Sequence, residues 1–481
     1  MFLFYFLFEL SIHEGSLLLH NILHLKTRSM QFWLLAVLLG IIFATGGSSR
    51  TDEQSLAILR PVSVMFLGIA LSTLQAKHFR PYYLPLVGLS GALGLTITHV
   101  MPLPIATWTS ISYNTSLVAI SQLIGNDGIW HQFTLSPFDG WQAFCALLVP
   151  LSIILLGIQL SQREKDLLLP FLITLAALSG LLGLIQLGSS PTGPLYFYRI
   201  GNNGSATGFF ANRNHAATLL ACLIPMLAAF ASGRAETREK QRARELLCLA
   251  IGVFVVPMIL VTGSRSGFVT GAIGLAAAGI LYARPKSKNP LKDQPDLIAK
   301  IRVLGAGIVL VLGALTLLFS RDAAMVRLFT QSLDEDGRAE FVSVSLGIIS
   351  NFAPWGAGAG SFVQAYQLAE PNRLLDNSYL NRAHNDWIET ALTFGIPGCV
   401  LLAIAVVFYL WRMYHLWRPG AEPGSRSILS RAAGVGIGLL AIASTVDYPL
   451  RTPIMIAVMA IFVIWFFNPS ASNDASESPL S

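Results

Sequence analysis

Apolar runs of about 20 residues recur from one end of the chain to the other, divided by short stretches that hold most of the charge. This pattern fixes the solvent the chain folds in. A helix needs about 20 apolar residues to cross a bilayer's hydrocarbon core, where every backbone N–H and C=O must be satisfied internally. Strand-like segments of about 10 alternating residues, the mark of a membrane barrel, are absent. Charge is scarce as well: 12% of the 481 residues against 53% hydrophobic, where a soluble domain carries roughly 25%. A soluble globular enzyme, a disordered chain and a disulfide-stapled secreted domain are excluded. What remains is an all-α polytopic membrane protein.

Twelve spans are predicted, near 31–45, 58–75, 81–99, 142–160, 167–187, 214–232, 246–262, 267–283, 303–319, 386–411, 432–446 and 452–467. Residues 1–29 form an N-terminal extension. Its stretch 1–25 is rich in Phe and Leu but is interrupted by Glu9, His13, Glu14, His20 and His24, and reads as an interfacial helix or an upstream addition rather than a thirteenth span. No small-residue cleavage site follows it. Residues 30–319 hold spans one to nine, 320–385 a large outer loop, 386–468 the last three spans, and 469–481 a tail of disordered composition. Cys145, Cys222, Cys248 and Cys399 sit in apolar runs without metal-ligand spacing.

Basic residues concentrate in cytoplasmic loops. One set of loops holds 21 of the 32 Lys and Arg residues, including all eight lysines, so both termini are expected in the cytoplasm. The opposite face carries eleven arginines and no lysine: Arg50, Arg60, Arg199, Arg213, Arg265, Arg321, Arg327, Arg338, Arg373, Arg382 and Arg451. Arginine binds phosphate oxygens through a planar fork, so this face suits phosphate or pyrophosphate. Arginine also outnumbers lysine in the whole chain, which makes this a supporting observation. The basic cytoplasmic loops read as solvated segments. No glycine-rich nucleotide motif follows a strand, and nothing points to a nucleic-acid partner.

Four outer clusters can carry chemistry. Thr262-Gly263-Ser264-Arg265-Ser266-Gly267 makes a tight turn that sets Arg265 at the interface, as a phosphate anchor or a snorkelling side chain. Arg338 precedes a predicted helix at 339–351, which Pro354, Gly356, Gly358 and Gly360 terminate; it can meet an anion or pair with a nearby carboxylate. His384-Asn385-Asp386-Trp387-Ile388-Glu389 opens span ten. His384 can accept a proton near neutral pH, and Glu389 lies a turn deeper, where an ionisable group is a functional candidate. No second histidine at helical spacing suggests a metal. The fourth cluster pairs Asn212-Arg213-Asn214-His215 with Asp447-Tyr448-Pro449-Leu450-Arg451, as site residues or as loop caps.

Together these pieces resemble the O-antigen ligase family of bacterial membrane glycosyltransferases. The resemblance rests on GFFANRNHAATLL (208–220), TGSRSG (262–267), GRAEFVSVSLGIISNFAPWGAGAGSF (337–362), AHNDWIETALTFGIPG (383–398) and DYPLR (447–451). It implies a GT-C-like bundle of about twelve transmembrane helices in the bacterial inner membrane, with a large helical periplasmic loop. It implies an inverting, metal-independent transfer, needing no cofactor, of a glycan from undecaprenyl pyrophosphate to an acceptor hydroxyl. The acceptor would be lipid A–core, a growing polysaccharide in a polymerase, or a protein. By resemblance His384, Arg265 and Arg338 are catalytic. Arg213, Asn214, His215, Glu389, Asp447 and Arg451 are expected to bind substrate; relatives often have proline where this chain has Arg213. A transporter of the same lipid fits less well, since transporters place ionisable groups near the midplane and often carry repeats.

Overall fold

The computed structural model describes residues 28–111, 115–125, 130–283, 338–375, 379–418 and 425–468. Its architecture is a bundle of long apolar helices: α1 (Met30–Thr45), α2 (Leu56–Thr73), α3 (Tyr83–Val100), α4 (Pro137–Gly157), α5 (Gln162–Leu187), α6 (Arg213–Ser232), α7 (Arg238–Val261) and α8 (Arg265–Leu281). A shorter α9 (Arg338–Ile348) precedes α10 (Asp386–Trp417), α11 (Ser425–Ala443) and α12 (Pro453–Phe466). Among the described residues the one sheet is a two-residue ladder, Pro102–Leu103 against His131–Gln132. Among the described residues, seven helical segments are long and apolar enough to cross a membrane. Eleven of the predicted spans fall on helices; the one at 303–319 and the extension before residue 28 lie outside the described residues.

Helix α6 is the centre of the bundle, buried along nearly its whole length against α5, α7, α8 and α11. The fit against α8 is close. A Cβ on Gly267 would lie 2.3 Å from Ala217 Cβ, and one on Gly274 would lie 3.0 Å from Ala221 O. Small residues let helices approach where lipid supplies no hydrophobic drive between them. This contact sets the first turns of α6 and α8 side by side. Helix α10 is the contrasting case: Val400, Ile404, Val407 and Trp411 are exposed, as expected of a lipid-facing surface.

The bundle has two chemically different ends. At one, Ser29 N–H donates to Glu164 Oε1 (2.7 Å), and Asn468 exchanges hydrogen bonds with Gln162. At the other lie the end of α1, the starts of α6, α8, α10 and α12, and the connections 188–212, 349–375 and 379–385. There Ala211 N–H donates to Gly47 O and Ile454 N–H to Gly46 O, tying three connections together. Each helix start is capped by a side chain: Asn212 on α6, Ser264 on α8, Asn385 on α10 and Thr452 on α12.

The end of α9 and the segment after it share a small core with α10, built from Ile348, Phe352, Phe362, Tyr366 and Leu392. That segment docks on a break in α10. Pro397 has no N–H and crowds the carbonyl four residues back, and Gly395 sits at φ 57°. The freed carbonyls of Leu392 and Thr393 accept from Ala357 N–H (2.8 Å) and Gly358 N–H (2.9 Å), and Ile396 N–H donates to Pro354 O (2.8 Å). The broken helix and the glycine-rich loop satisfy each other's backbone, which a membrane-facing kink requires.

Candidate functional site

A cavity of about 430 Å³ opens at the loop-rich end. Its lining comes from the turn after α1 (Gly47, Ser48, Ser49, Arg50), the connection before α6 (Ile200, Gly201, Asn202), the first turn of α6 with its cap (Asn212, Arg213, Asn214, His215), the segment before α10 (Tyr379, Asn381, His384) and Tyr448. Polar side chains dominate, set among aromatic rings.

His384 is held in an unusual backbone conformation. Its φ is 49°, and among the described residues it is the one non-glycine at positive φ. Such a conformation costs on the order of 1 kcal/mol and persists only where neighbours impose it. Here they do on both sides. Ala383 N–H donates to Glu389 Oε2 (3.1 Å) before it. After it, Asn385 Oδ1 accepts from Trp387 and Ile388 N–H, while Asn385 Nδ2 donates to Thr445 O (2.7 Å). His384 Nδ1 is buried and lies 3.7 Å from Asp447 Oδ1. The other ring nitrogen, Nε2, is therefore the one available to the cavity.

Asp447 sits behind the cavity wall, 1% exposed, at the convergence of two histidines. His215 Nε2 is 3.5 Å from Oδ1, and the carboxylate also accepts from Asn214 Nδ2, Asn212 Nδ2 and Tyr448 N–H. Burial pushes this carboxyl up, but the two imidazoles beside it, at 3.5 and 3.7 Å, outweigh burial and hold it well below the usual carboxylate range. The Tyr448 ring packs edge-on against both imidazoles, at 4.9 Å from His384 and 5.1 Å from His215.

A second ionic group lies next to the first. Glu389, 1% exposed, accepts from Arg382 Nη1 (2.9 Å) and lies 3.6 Å from Arg451 Nε. Arg451 Nε donates to Asp386 Oδ1 (3.0 Å), and Ser444 Oγ donates to Asp386 Oδ2 (2.8 Å). On the opposite wall Arg50 holds Asp52 with two hydrogen bonds (2.9 and 2.7 Å) and donates to Tyr379 Oη (3.0 Å). Its guanidinium is thus already neutralised.

The structure brings Arg213, Asn214, His215 and His384 to the cavity lining, with Asp447 directly behind. Glu389 and Arg451 do not line it; they sit in the adjacent ionic group. Arg265 opens α8 beside the first turn of α6 and is outside the lining. The backbone of Arg338 opens α9, which packs on α10. Five polar lining residues were not singled out from the sequence: Ser48, Ser49, Asn202, Tyr379 and Asn381. No local pattern marks them, because only the tertiary fold carries the turn after α1 across to residues 379–384. Arg382 was visible only as one of eleven outer arginines. Among the described residues no group of three or more His, Cys, Asp or Glu side chains is arranged to hold a metal ion.

Fold and site together define a polytopic membrane protein with a polar, histidine-bearing cavity at one end of its bundle. Residues 247–403, from α7 into the first half of α10, match the family described as O-Antigen ligase, so the chain carries a domain of that family. The matched stretch contains Arg265, Arg338, His384 and Glu389; the residues of α6 and the 447–451 turn come to the site from outside it. No curated protein matches the chain.

Proposed function

We propose that this protein is an inverting glycosyltransferase that moves a glycan from undecaprenyl pyrophosphate to an acceptor hydroxyl at the periplasmic face of the bacterial inner membrane. One observation carries the reading: His384 faces a polar cavity at the loop-rich end with its inner nitrogen against the buried Asp447. That is an arrangement that suits a general base, because a carboxylate at 3.7 Å stabilises the imidazolium that forms. In the proposed step the acceptor oxygen bonds to the anomeric carbon from the face opposite the leaving group. The bond from that carbon to the phosphate oxygen breaks, and undecaprenyl pyrophosphate departs with the electron pair. His384 Nε2 takes the hydroxyl proton. Arg213 at the lining, with Arg265 and Arg338, neutralises the charge that grows on the pyrophosphate. Asn214 and His215 shape the wall beside it, and the activated donor bond makes a nucleotide or other cofactor unnecessary.

The alternating course of the helices supports the orientation. The described basic loops gather at the end where Ser29 meets Glu164, the expected cytoplasmic side, and the cavity lies at the other. The buried ionic groups Asp386, Glu389 and Asp447, with His215 and Arg451, gather at the cavity end, which favours an enzyme over a transporter with a midplane site. Lipid A–core is the proposed acceptor, and a growing polysaccharide or a protein hydroxyl uses the same donor chemistry. The test is transfer by the purified protein in lipid nanodiscs, with a defined undecaprenyl-pyrophosphate glycan and each acceptor class supplied separately. Product on lipid A–core identifies a ligase, longer carrier-bound chains a polymerase, and glycosylated protein an oligosaccharyltransferase. Absence of transfer to every acceptor overturns the proposal.

A further inference from the structure

Glu389 is buried, a turn inside α10, and both hydrogen bonds its carboxylate accepts come from the segment 382–383. Oε2 accepts from the N–H of Ala383, the residue immediately before the left-handed His384; Oε1 accepts from Arg382 Nη1. The same guanidinium reaches the other way. Arg382 Nη2 donates to Ser49 O (3.0 Å), in the turn that forms the opposite wall of the cavity. One arginine therefore links the histidine-bearing segment to the far wall, and one carboxylate holds both the arginine and the backbone at His384. Arg451, 3.6 Å from Glu389 and bonded to Asp386, ties this pair to the turn carrying Asp447.

We propose that Glu389 and Arg382 are positioning residues that clamp His384 and set the width of the cavity, and that they do not contact substrate. This rests on His384 acting as the base. A clamp of this kind acts on rate: displacing a catalytic group by about 1 Å costs roughly 100-fold. It has little effect on the binding of a substrate held by other residues.

The test compares Glu389→Gln, Glu389→Ala, Arg382→Ala and Arg382→Lys in the full-length protein, each checked for monodispersity in detergent. Two readouts are combined: kcat and KM for glycan transfer, and the rate at which diethyl pyrocarbonate modifies His384, followed by peptide mass spectrometry without substrate. Glu389→Gln keeps the shape of the side chain and an acceptor for Ala383 N–H, so it reports on the clamp even if Glu389→Ala fails to fold. For Glu389→Gln and Arg382→Ala the expected result is kcat at least about tenfold lower, KM within about twofold, and His384 modified at least about threefold faster. Arg382→Lys should recover part of the rate. A KM that rises with kcat unchanged, or an unchanged modification rate, would overturn the inference and make these residues substrate contacts or bystanders. Transfer that survives His384→Ala would instead overturn the reading of His384 as base. Loss of transfer in His384→Ala with wild-type behaviour in all four variants would overturn the clamp alone.

Discussion

Replacing Asp447 with asparagine isolates the contribution of one buried charge. The substitution keeps the side chain's shape and one oxygen to accept from Tyr448 N–H, but removes the negative charge facing both histidines. When His384 takes a proton, its imidazolium forms 3.7 Å from Asp447 Oδ1. At that distance, with an effective dielectric of about 20, a pair of unit charges interacts by about 4.5 kcal/mol. Each tenfold change in rate corresponds to about 1.4 kcal/mol, so losing all of this would slow the reaction about a thousandfold. The carboxylate is already shared with His215 and the amides of Asn212 and Asn214, which reduces the loss, and we expect kcat to fall between about 100-fold and about 1000-fold. The amide nitrogen of the new side chain would also face the donor groups of Asn212 or Asn214, costing about 1–3 kcal/mol of stability. The assay is initial-rate transfer from a radiolabelled lipid-linked glycan, with kcat and KM determined separately and thermal unfolding as the fold control. Wild-type kcat within threefold for a folded Asp447→Asn protein would refute the reasoning. The pH dependence adds a check with a fixed sign. Because the folded carboxyl lies well below its ordinary value, its contribution to stability is complete above about pH 4 and is lost as pH falls through the folded value. The stability gap between wild type and Asp447→Asn should therefore be constant near neutrality and shrink in acid; a gap that widens in acid contradicts it.

Three further outcomes follow from the same geometry. His384→Gly and His384→Ala should both abolish transfer, yet the glycine variant should be no less stable than the alanine one and up to about 1 kcal/mol more so, since φ 49° suits glycine; thermal melts compare them. Gly395→Ala should destabilise the protein by more than about 2 kcal/mol and release the 354–358 segment, because its Cβ would lie 2.2 Å from Pro354 O at a positive φ; proteolysis of that segment reads the release. Arg451→Ala leaves Asp386 and Glu389 buried with one counter-charge fewer and should cost about 3–5 kcal/mol, measured by denaturant unfolding, whereas Arg373→Ala, which breaks an exposed pair with Glu340, should cost less than about 1 kcal/mol.

The helices were legible because lipid leaves the backbone few options, and an apolar run of the right length in such a chain is read as a helix directly. Boundaries drifted where polar residues extend a helix beyond the bilayer. The basic stretch REKQRARE, read as a solvated segment, forms the first two turns of α7, and α11 begins at Ser425 instead of near 432. At the site, His384, His215 and Asp447 stood out because charged and imidazole groups are rare in such a chain and lie at helix ends. What the sequence could not convey was which polar groups face each other. Glu389 and His384 belong to one short motif, yet Glu389 turns inward to Ala383 N–H and Arg382 while His384 faces the cavity. That difference depends on a left-handed residue and on Ser49, more than 330 positions away, which no periodicity encodes. The glycines at 356 and 358 were legible as the end of the predicted helix, but their partner, the break at Gly395 in α10, appears only in three dimensions.

The central claim is that the cavity around His384 transfers a lipid-linked glycan. The most direct measurement is a single-turnover experiment with purified protein in nanodiscs, an undecaprenyl-pyrophosphate glycan and a saturating hydroxyl acceptor, comparing wild type with His384→Ala and Arg213→Ala. The account predicts stoichiometric product with release of undecaprenyl pyrophosphate by wild type, and at least about a 100-fold slower step in each variant. Turnover at the wild-type rate in His384→Ala would contradict it.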